Sequence, residues 1–151
     1  MTICFKKLKD KAIIPSFGHG DDTNFGIDLY SCLEKIIIIP AGGSAIVPLG
    51  IAWMPMEIPY NHKVGAVVNS RSGLAFKQGI EASNAGVIDE QFRGEWSVKL
   101  YNNTNKEFVV EHGMRIAQAV ITVAPKYAVI EVNEIDDTTR GDRGFGSSGV
   151  N

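Results

Sequence analysis

Cysteine is scarce in this sequence, and no apolar run is long enough to cross a membrane. Cys4 and Cys32 are the two cysteines, and without a Cys-x-x-Cys pair or a disulfide framework they are typical of reduced thiols in a cytosolic protein. The longest unbroken aliphatic run, Ile36 to Ile39, is far too short for a bilayer. Lysines interrupt the apolar residues near the amino terminus, which argues against a signal peptide. We therefore expect a soluble, non-secreted protein of the cytoplasm, or of the nucleus in a eukaryote.

An excess of charge is also lacking: 15 Lys and Arg against 17 Asp and Glu give a formal net charge of -2 at pH 7. Such a chain has no broad field for nucleic acid or for an anionic membrane, so we expect neither partner. Any phosphate must be held by local positive charge and backbone N–H groups. The sequence also has no phosphate-binding loop ending in Gly-Lys-Ser, no Ser-His-Asp pattern and no histidines at metal-ligand spacing.

Sequence patterns typical of helix are also scarce in this chain. Its length of 151 residues predicts one domain. Short β-branched or alternating runs recur at a spacing of roughly ten residues, which predicts an all-β sandwich, barrel or jelly roll. In the clearest run Trp96, Val98 and Leu100 alternate with polar residues, which indicates a half-buried strand. One short helix is predicted, with Ser70 or Ser72 as its N-cap and with Gly79 at its end. The other predicted strands are 1–8, 25–31, 36–39, 45–54 (a strand pair or a bulged strand), 63–68, 108–110, 116–123 and 127–132.

Apolar residues almost vanish after residue 135, where glycine and serine become frequent. We therefore divide the chain into a β domain, 1–135, and a flexible arm, 136–151, that must lie on this subunit or on a neighbour. Phe145 stands between two glycines of this arm, and an exposed aromatic indicates a flat partner such as a nucleobase, on which stacking contributes about 1–3 kcal/mol. Arg140, Ser147 and Ser148 add groups that can bind an anion.

A charged stretch bracketed by Gly86 and Gly94 is the first candidate for chemistry. Because glycine permits positive φ and close approach of another backbone, the bracketing predicts a tight hairpin. Asp89 then stands at the rim of an apolar hairpin, where a carboxylate can act as a general base beside a pocket. The alternative is an ordinary strand–turn–strand with a solvated charged tip.

Three further places can form a binding site. The segment Arg71–Gly73 opens the predicted helix, where free N–H groups and partial positive charge favour phosphate, the alternative being a plain N-cap with an exposed arginine. Gln118 is a polar residue inside an apolar run, so it is either buried and hydrogen-bonded or lines a site. Asp28 faces away from the apolar side of its strand, a pattern that by itself favours solvent over the outer shell of a metal.

Five sequence blocks resemble, in order and spacing, the homotrimeric dUTPases (dUTP diphosphatases). They are GIDLYS from Gly26, RSGLA from Arg71, GVID from Gly86 running on to RGE, GMRIAQ from Gly113, and RG from Arg140 running on to GFGSSG. Each block is weak alone, but five in order over residues 26–149 are specific. The resemblance implies a distorted jelly-roll (β-clip-like) subunit with a homotrimer whose sites are assembled from all three chains. It also implies Mg²⁺-dependent hydrolysis of dUTP to dUMP and pyrophosphate, which keeps uracil out of DNA and supplies dUMP for thymidylate synthesis.

The resemblance further implies roles for single residues. Asp89 corresponds to the catalytic base that orients the attacking water, and Asp28 meets the metal through water. Phe92 replaces the usual tyrosine under the deoxyribose, and Gln91 replaces the usual aspartate two places after the base. The implied substrate-binding residues are Arg71, Ser72, Gly73, Asn84, Gly86, Val87, Ile88, Phe92, Gln118, Arg140, Phe145, Gly146, Ser147 and Ser148.

Two alternatives stay open at this point. A dCTP deaminase-type enzyme shares the fold but works on the base rather than on the phosphate, and the Gly86–Asp89 block and the Phe145 arm argue against it. A nucleotide-binding regulatory protein would instead use dUTP occupancy as a switch and dock a protein partner.

Overall fold

The computed structural model describes residues 1–18, 23–82 and 86–142. These residues form twelve β-strands and one α-helix, and they contain no helix long and apolar enough to span a membrane. The elements are β1 Thr2–Lys7, β2 Ser16–Phe17, β3 Ile27–Tyr30, β4 Ile37–Ile39, β5 Ser44–Pro48, β6 Ile51–Met56, β7 His62–Asn69, α1 Ser72–Gln78, β8 Ile80–Ala82, β9 Val87–Asp89, β10 Ser97–Asn102, β11 Phe108–Val110 and β12 Arg115–Pro125.

All strand pairs in the described residues are antiparallel and fall into four sheets. The largest sheet has the order β2-β3-β12-β7-β9, and a second has the order β5-β10-β8. Two-stranded sheets β1-β6 and β11-β4 complete the subunit. Neighbouring strands are mostly distant in sequence, as in Greek-key and jelly-roll connections. The predicted all-β subunit of jelly-roll type with one short helix is therefore confirmed.

Tryptophan dominates the core between the sheets. Trp53 and Trp96 are each 1% exposed, and their rings meet edge to face with centroids 5.2 Å apart. Phe5 packs on Trp96 in the same geometry at 5.5 Å. Val98 and Leu100 are buried, whereas Lys99 between them is half-buried and Ser97 and Tyr101 are exposed. The alternation seen in the sequence thus gives the half-buried strand that it predicted.

The end of α1 agrees with the sequence, but its beginning does not. Gly79 takes the left-handed conformation with φ 63° and donates its N–H to carbonyls of the last turn, as a glycine C-cap does. The N-cap is Arg71, whose side chain makes no capping hydrogen bond. The predicted serine cap is wrong because the Ser70 hydroxyl accepts the Ala82 N–H at 2.9 Å, which joins it to β8, and Ser72 is already helical.

Three predicted strand arrangements differ from the structure. The run 45–54 is a strand pair, but its halves join different sheets, with a turn at Gly50 at φ 67°. The stretch 86–94 is not a hairpin, because β9 pairs with β7 whereas β10 pairs with β5 and β8. Residues 127–132 form no strand, and Val129 is 88% exposed, because the described subunit offers this segment no partner strand.

Asn102 ties three connections of the fold together from a fully buried position. Its amide nitrogen reaches the carbonyls of Ile39, Pro40 and Lys106 at 2.7–3.1 Å. Its amide oxygen accepts the N–H and the hydroxyl of Thr104 at 3.1 and 2.7 Å. Asn102 therefore satisfies the buried backbone groups beside the turn that follows β10.

Asn102→Ala should lower the free energy of unfolding by at least about 2 kcal/mol, because buried backbone carbonyls lose their donor. Asn103→Ala is the matched control, since Asn103 is exposed and adjacent. Urea unfolding of both variants measures the difference. Equal stabilities would show that the Asn102 network contributes nothing.

Candidate active site

A pocket of about 290 Å³ opens where β3, β12 and the beginning of α1 meet. Its walls are largely polar and carry one carboxylate and two guanidinium groups. The lining residues are Gly18, Asn24, Phe25, Gly26, Asp28, Arg71, Ser72, Gly73, Arg115 and Gln118. The structure thus brings together five of the residues singled out in the sequence, namely Asp28, Arg71, Ser72, Gly73 and Gln118.

Asp28 forms the floor of this pocket and is clamped between two arginines. Its Oδ1 accepts the Nε–H of Arg71 at 2.9 Å, and its Oδ2 accepts from Nη1 of Arg115 at 3.2 Å. Arg71 also donates to the Arg115 carbonyl. Asp28 is only 7% exposed, so the solvent-facing role favoured by strand alternation is wrong. The outer face of β3 is covered here because Arg71 and Arg115 fold over it.

Among the described residues that line the pocket, the clamp leaves one more positive than negative charge. Arg71 uses Nε and Nη1 on protein acceptors, and within the described residues its Nη2 makes no hydrogen bond. The free edge of a guanidinium is a strong donor toward a phosphate oxygen. Ser72 and Gly73 follow at the beginning of α1, so hydroxyl and backbone N–H donors lie beside that edge. The arrangement can bind an oxyanion.

Arg115 is the pocket residue that sequence reasoning missed as a functional side chain. It stands at the head of β12, where the register with β3 shifts between Arg115 and Ala117. That irregularity puts its side chain beside Asp28 rather than in the ladder of apolar residues that follows. A basic residue at the beginning of an otherwise apolar strand was the available signal.

Gln118 is held rigidly in the pocket wall. Its Nε2 donates to the Ser70 carbonyl at 3.0 Å, which links β12 to the segment before α1. Its Oε1 faces Gly26 so closely that a Cβ at Gly26 would lie 2.9 Å away. The polar residue of the apolar run is therefore both hydrogen-bonded and part of the pocket, the two possibilities that the sequence offered.

Asp89 lies far from this pocket in the same chain. Along β7, Asn69 is level with Gln118 and Asp28, whereas the partner of Asp89 is Gly65, four residues away. Asp89 and Asp28 are also separated by three strand spacings. At a rise of about 3.3 Å per residue and about 4.8 Å between strands, their Cα atoms are roughly 20 Å apart. A general base needs hydrogen-bond reach to the water it activates, so one chain does not complete a phosphate site with Asp89.

The residues around Asp89 form a second, exposed surface on β9 and the following turn. Val87 and Phe92 are 58% and 45% exposed, and Gly86 has φ 111°. The Phe92 ring folds over Gly94, where a Cβ would lie 2.5 Å from the Cζ atom of the ring. Gly86, Val87, Ile88, Asp89 and Phe92 are thus grouped together but not with the pocket.

The remaining predicted site residues belong to the loop before β9 and to the arm. Arg140 is described and lies in the exposed carboxy-terminal segment. The predictions that fall outside the described residues concern Asn84, Phe145, Gly146, Ser147 and Ser148.

Metal ligands are few in this pocket. The described residues contain no group of three or more His, Cys, Asp or Glu side chains that could hold an ion by themselves. Asp28 is the one carboxylate among the described lining residues, and each of its oxygens keeps a lone pair beyond its arginine contact. Mg²⁺ keeps several waters and commonly uses one or two carboxylates together with substrate phosphates. The donor set therefore fits Mg²⁺ held through water, and not an all-protein cage.

A family model described as dUTPase matches residues 12–149. The deoxyuridine 5'-triphosphate nucleotidohydrolase of Crocosphaera subtropica is 44% identical over 151 residues, which cover 99% of this chain and 100% of that protein. The protein of the same name from Arabidopsis thaliana is 41% identical over 145 residues, which cover 96% of this chain and 81% of that protein.

Solved structures show the same fold. The dUTPase of Staphylococcus bacteriophage 80alpha with dUpNHpp superposes with a TM-score of 0.83 at 24% identity, covering 99% of both chains. A mutant dUTPase from phage phi11 of S. aureus, described with a structural Mg(II) ion, superposes with a TM-score of 0.75 at 19% identity, covering 91% of this chain and 100% of that one.

Gly73→Ala tests whether the bare backbone of α1 faces a bound anion. A Cβ at Gly73 meets no atom within 4 Å, and alanine favours helix, so the free energy of unfolding should stay unchanged or rise by at most about 1 kcal/mol. The added methyl group stands at the pocket wall, so affinity for inorganic pyrophosphate should fall by about tenfold, or 1.4 kcal/mol. Gln78→Ala at the far end of α1 is the control. Equal affinities by titration calorimetry would contradict the assignment.

Proposed function

The chain belongs to the dUTPase family, and from that premise we propose that it hydrolyses dUTP to dUMP and pyrophosphate, with Asp89 as the base that activates water. The observation that carries the phosphate half of this proposal is the clamp of Asp28 between Arg71 and Arg115. Among the described residues, it gives a pocket with net positive charge at the beginning of a helix. The whole chain, by contrast, has a formal net charge of -2.

The residues of that pocket bind the phosphates of the substrate. Arg71 offers its free Nη2 edge, while Asp28 fixes the rest of the guanidinium, so little side-chain entropy is lost on binding. Ser72 and Gly73 contribute donors from α1, and Gln118 holds the wall against which the triphosphate lies. Arg115 adds charge from the opposite side of Asp28. Together these groups position the chain of phosphates for attack.

Mg²⁺ fits this pocket through water, as a partner of Asp28 and of the substrate phosphates. When bound, it neutralises phosphate charge and restrains the triphosphate geometry. Asp28 would hold the hydrated ion, because its oxygens keep lone pairs that the arginines leave free. The two arginine contacts hold that carboxylate in place.

Asp89 acts on the other reactant, which is water. Its exposed carboxylate accepts a proton from water, which then attacks the α-phosphorus while pyrophosphate leaves. Phe92, three residues on, presents a ring for the deoxyribose and excludes a 2′-hydroxyl by contact. Because it is phenylalanine, it offers no phenol to hydrogen-bond. Val87 and Ile88 form β9 together with Asp89, and Gly86 precedes this strand. With Asn84, these residues line the base and sugar side.

The roughly 20 Å between Asp28 and Asp89 in one chain supports a site shared between subunits. A homotrimer places β9 of one subunit beside the phosphate pocket of another, and three equivalent sites follow from the symmetry. The exposed extended segment 127–135 supports the same assembly. Its apolar residues, Val129 and Ile130 among them, have no strand partner in the described subunit. The arm 136–151 then closes over the site with Arg140, Phe145, Gly146, Ser147 and Ser148 against phosphate and uracil.

A nucleotide panel tests the function itself. The protein with Mg²⁺ should release pyrophosphate from dUTP, and far less from dCTP, dTTP and UTP. Deamination of dCTP without pyrophosphate release would favour the deaminase alternative, which acts on the base. Tight dUTP binding without turnover would favour a regulatory binding protein. Identity of 44% to a nucleotidohydrolase over the whole chain supports the first outcome.

Asp89→Asn should keep dUTP binding and lower kcat by roughly 10²–10⁴-fold, the usual contribution of a general base. The amide retains the shape of the side chain but does not accept the proton. Steady-state kinetics with Asp10→Asn, an exposed aspartate of another loop, as control measure the effect. Turnover of Asp89→Asn at the wild-type rate would refute the role of Asp89.

The shared site predicts rescue between two inactive variants. Light scattering should give about three times 16.4 kDa for each homo-oligomer. Arg71→Ala and Asp89→Asn chains, each inactive alone, should regain about one quarter of wild-type sites when unfolded together in equal amounts and refolded, because one chain supplies an intact Arg71 and another an intact Asp89. Sites built within one chain would show no rescue.

A further inference from the structure

Asp89 has a backbone that its own strand holds weakly. β9 is three residues long, stands at the edge of its sheet and pairs with β7 alone. Gly86 precedes it at φ 111°, and the chain turns directly after it, where the Phe92 N–H donates to the Asp89 carbonyl at 3.0 Å. So short an edge element opens easily unless other groups hold it.

Trp53 holds the end of this strand from a different sheet. Its indole Nε1–H donates to the Asp89 carbonyl at 3.1 Å, across the gap between β6 and β9. Trp53 is 1% exposed and packs edge to face on Trp96, so the donor is part of the rigid core. The carbonyl of Asp89 therefore has a fixed partner on the core side in addition to its turn.

Glu90 holds the same turn from the sheet side. Its Oε2 accepts the Val64 N–H at 3.0 Å, one residue beyond the Gly65–Asp89 pair. The carboxylate thus extends the short ladder of β9 by one rung where the main chain has already turned away. Arg93 donates from Nη1 to the carbonyls of Glu90 and Phe92 and closes the turn.

We propose that Trp53 and Glu90 are positioning residues for the reaction, which hold the Asp89 backbone so that its carboxylate meets the attacking water. The inference rests on the proposed role of Asp89. Neither side chain lines the phosphate pocket, so both act through Asp89. A displacement of about 1 Å of a catalytic group costs up to roughly 100-fold in rate. Because Asp89 acts on water rather than holding phosphates, the loss falls on kcat and not on KM.

Two tryptophans of one cluster provide the first test. Trp53→Phe removes the indole donor together with some ring volume. Trp96→Phe removes the same volume from an equally buried ring, whose Nε1 has no hydrogen-bond partner among the described residues. Both variants should lose thermal stability, but only Trp53→Phe should lower kcat by about tenfold or more, with KM within about twofold. Equal kcat values for the two variants would overturn the role of Trp53.

The positioning role of Glu90 is tested with two variants, one that keeps the oxygen that accepts the Val64 N–H and one that removes it. Glu90→Gln retains an oxygen for the Val64 N–H and should keep at least half of the wild-type kcat, whereas Glu90→Ala should lose about tenfold. Glu95→Ala is the matched control, because Glu95 Oε1 accepts the Gly50 N–H at 2.9 Å on the far side of the same segment. Equal losses in Glu90→Gln and Glu90→Ala would indicate that charge matters rather than position. Equal kcat in Glu90→Ala and Glu95→Ala would also overturn the proposal.

A double variant that carries Trp53→Phe and Asp89→Asn separates the role of Trp53 from the role of Asp89. If Trp53 acts through Asp89, adding Trp53→Phe to Asp89→Asn should leave kcat unchanged, and independent multiplication of the losses would overturn the proposal. A wild-type rate for Asp89→Asn alone would remove the proposed function and this inference together. A slow Asp89→Asn beside wild-type rates for Trp53→Phe and Glu90→Ala would remove only the positioning role.

Discussion

The pairing of Asp28 with Arg71 and Arg115 is the interaction on which the phosphate site depends. One carboxylate among two guanidinium groups turns a nearly neutral chain into a local anion receptor without a broad positive field. It also connects three elements that are distant in sequence: strand β3, the beginning of α1 and the head of β12. Loss of the carboxylate would leave two like charges facing each other and free both arginines to move. The same ion pairs therefore join the three elements and shape the pocket before any anion binds.

The fold separates the two groups of residues to which the proposed mechanism gives roles. One end of the large sheet carries the phosphate pocket, and the opposite edge carries Asp89 on β9. The pocket is preorganised by charge pairs, whereas the Asp89 turn is preorganised by hydrogen bonds from the core and from β7. Such a division suits an enzyme in which assembly brings the halves together, because each half is rigid before the partner arrives.

The sequence predicted the features that depend on local chemistry. Alternation around Val98 and Leu100 predicted β10, and Gly79 predicted the end of α1, because each signal lies within a few residues of its effect. The burial of Asp28 could not be predicted in this way, since it depends on arginines 43 and 87 residues away along the chain. The role of Arg115 was missed for the same reason. The strand predicted at 127–132 is wrong for the described subunit: a strand needs a partner strand, and the described residues offer this segment none.

The tryptophan hydrogen bond to Asp89 also gives the protein an optical reporter. The chain has two tryptophans, and only Trp53 donates its indole N–H to the turn that carries Asp89. Indole emission responds to the hydrogen bonding and polarity around the ring, so movement of this turn changes the emission of Trp53 and of Trp96, whose ring contacts it at 5.2 Å. Movement of the turn that carries Asp89 is therefore observable in the unlabelled protein through its own tryptophan emission.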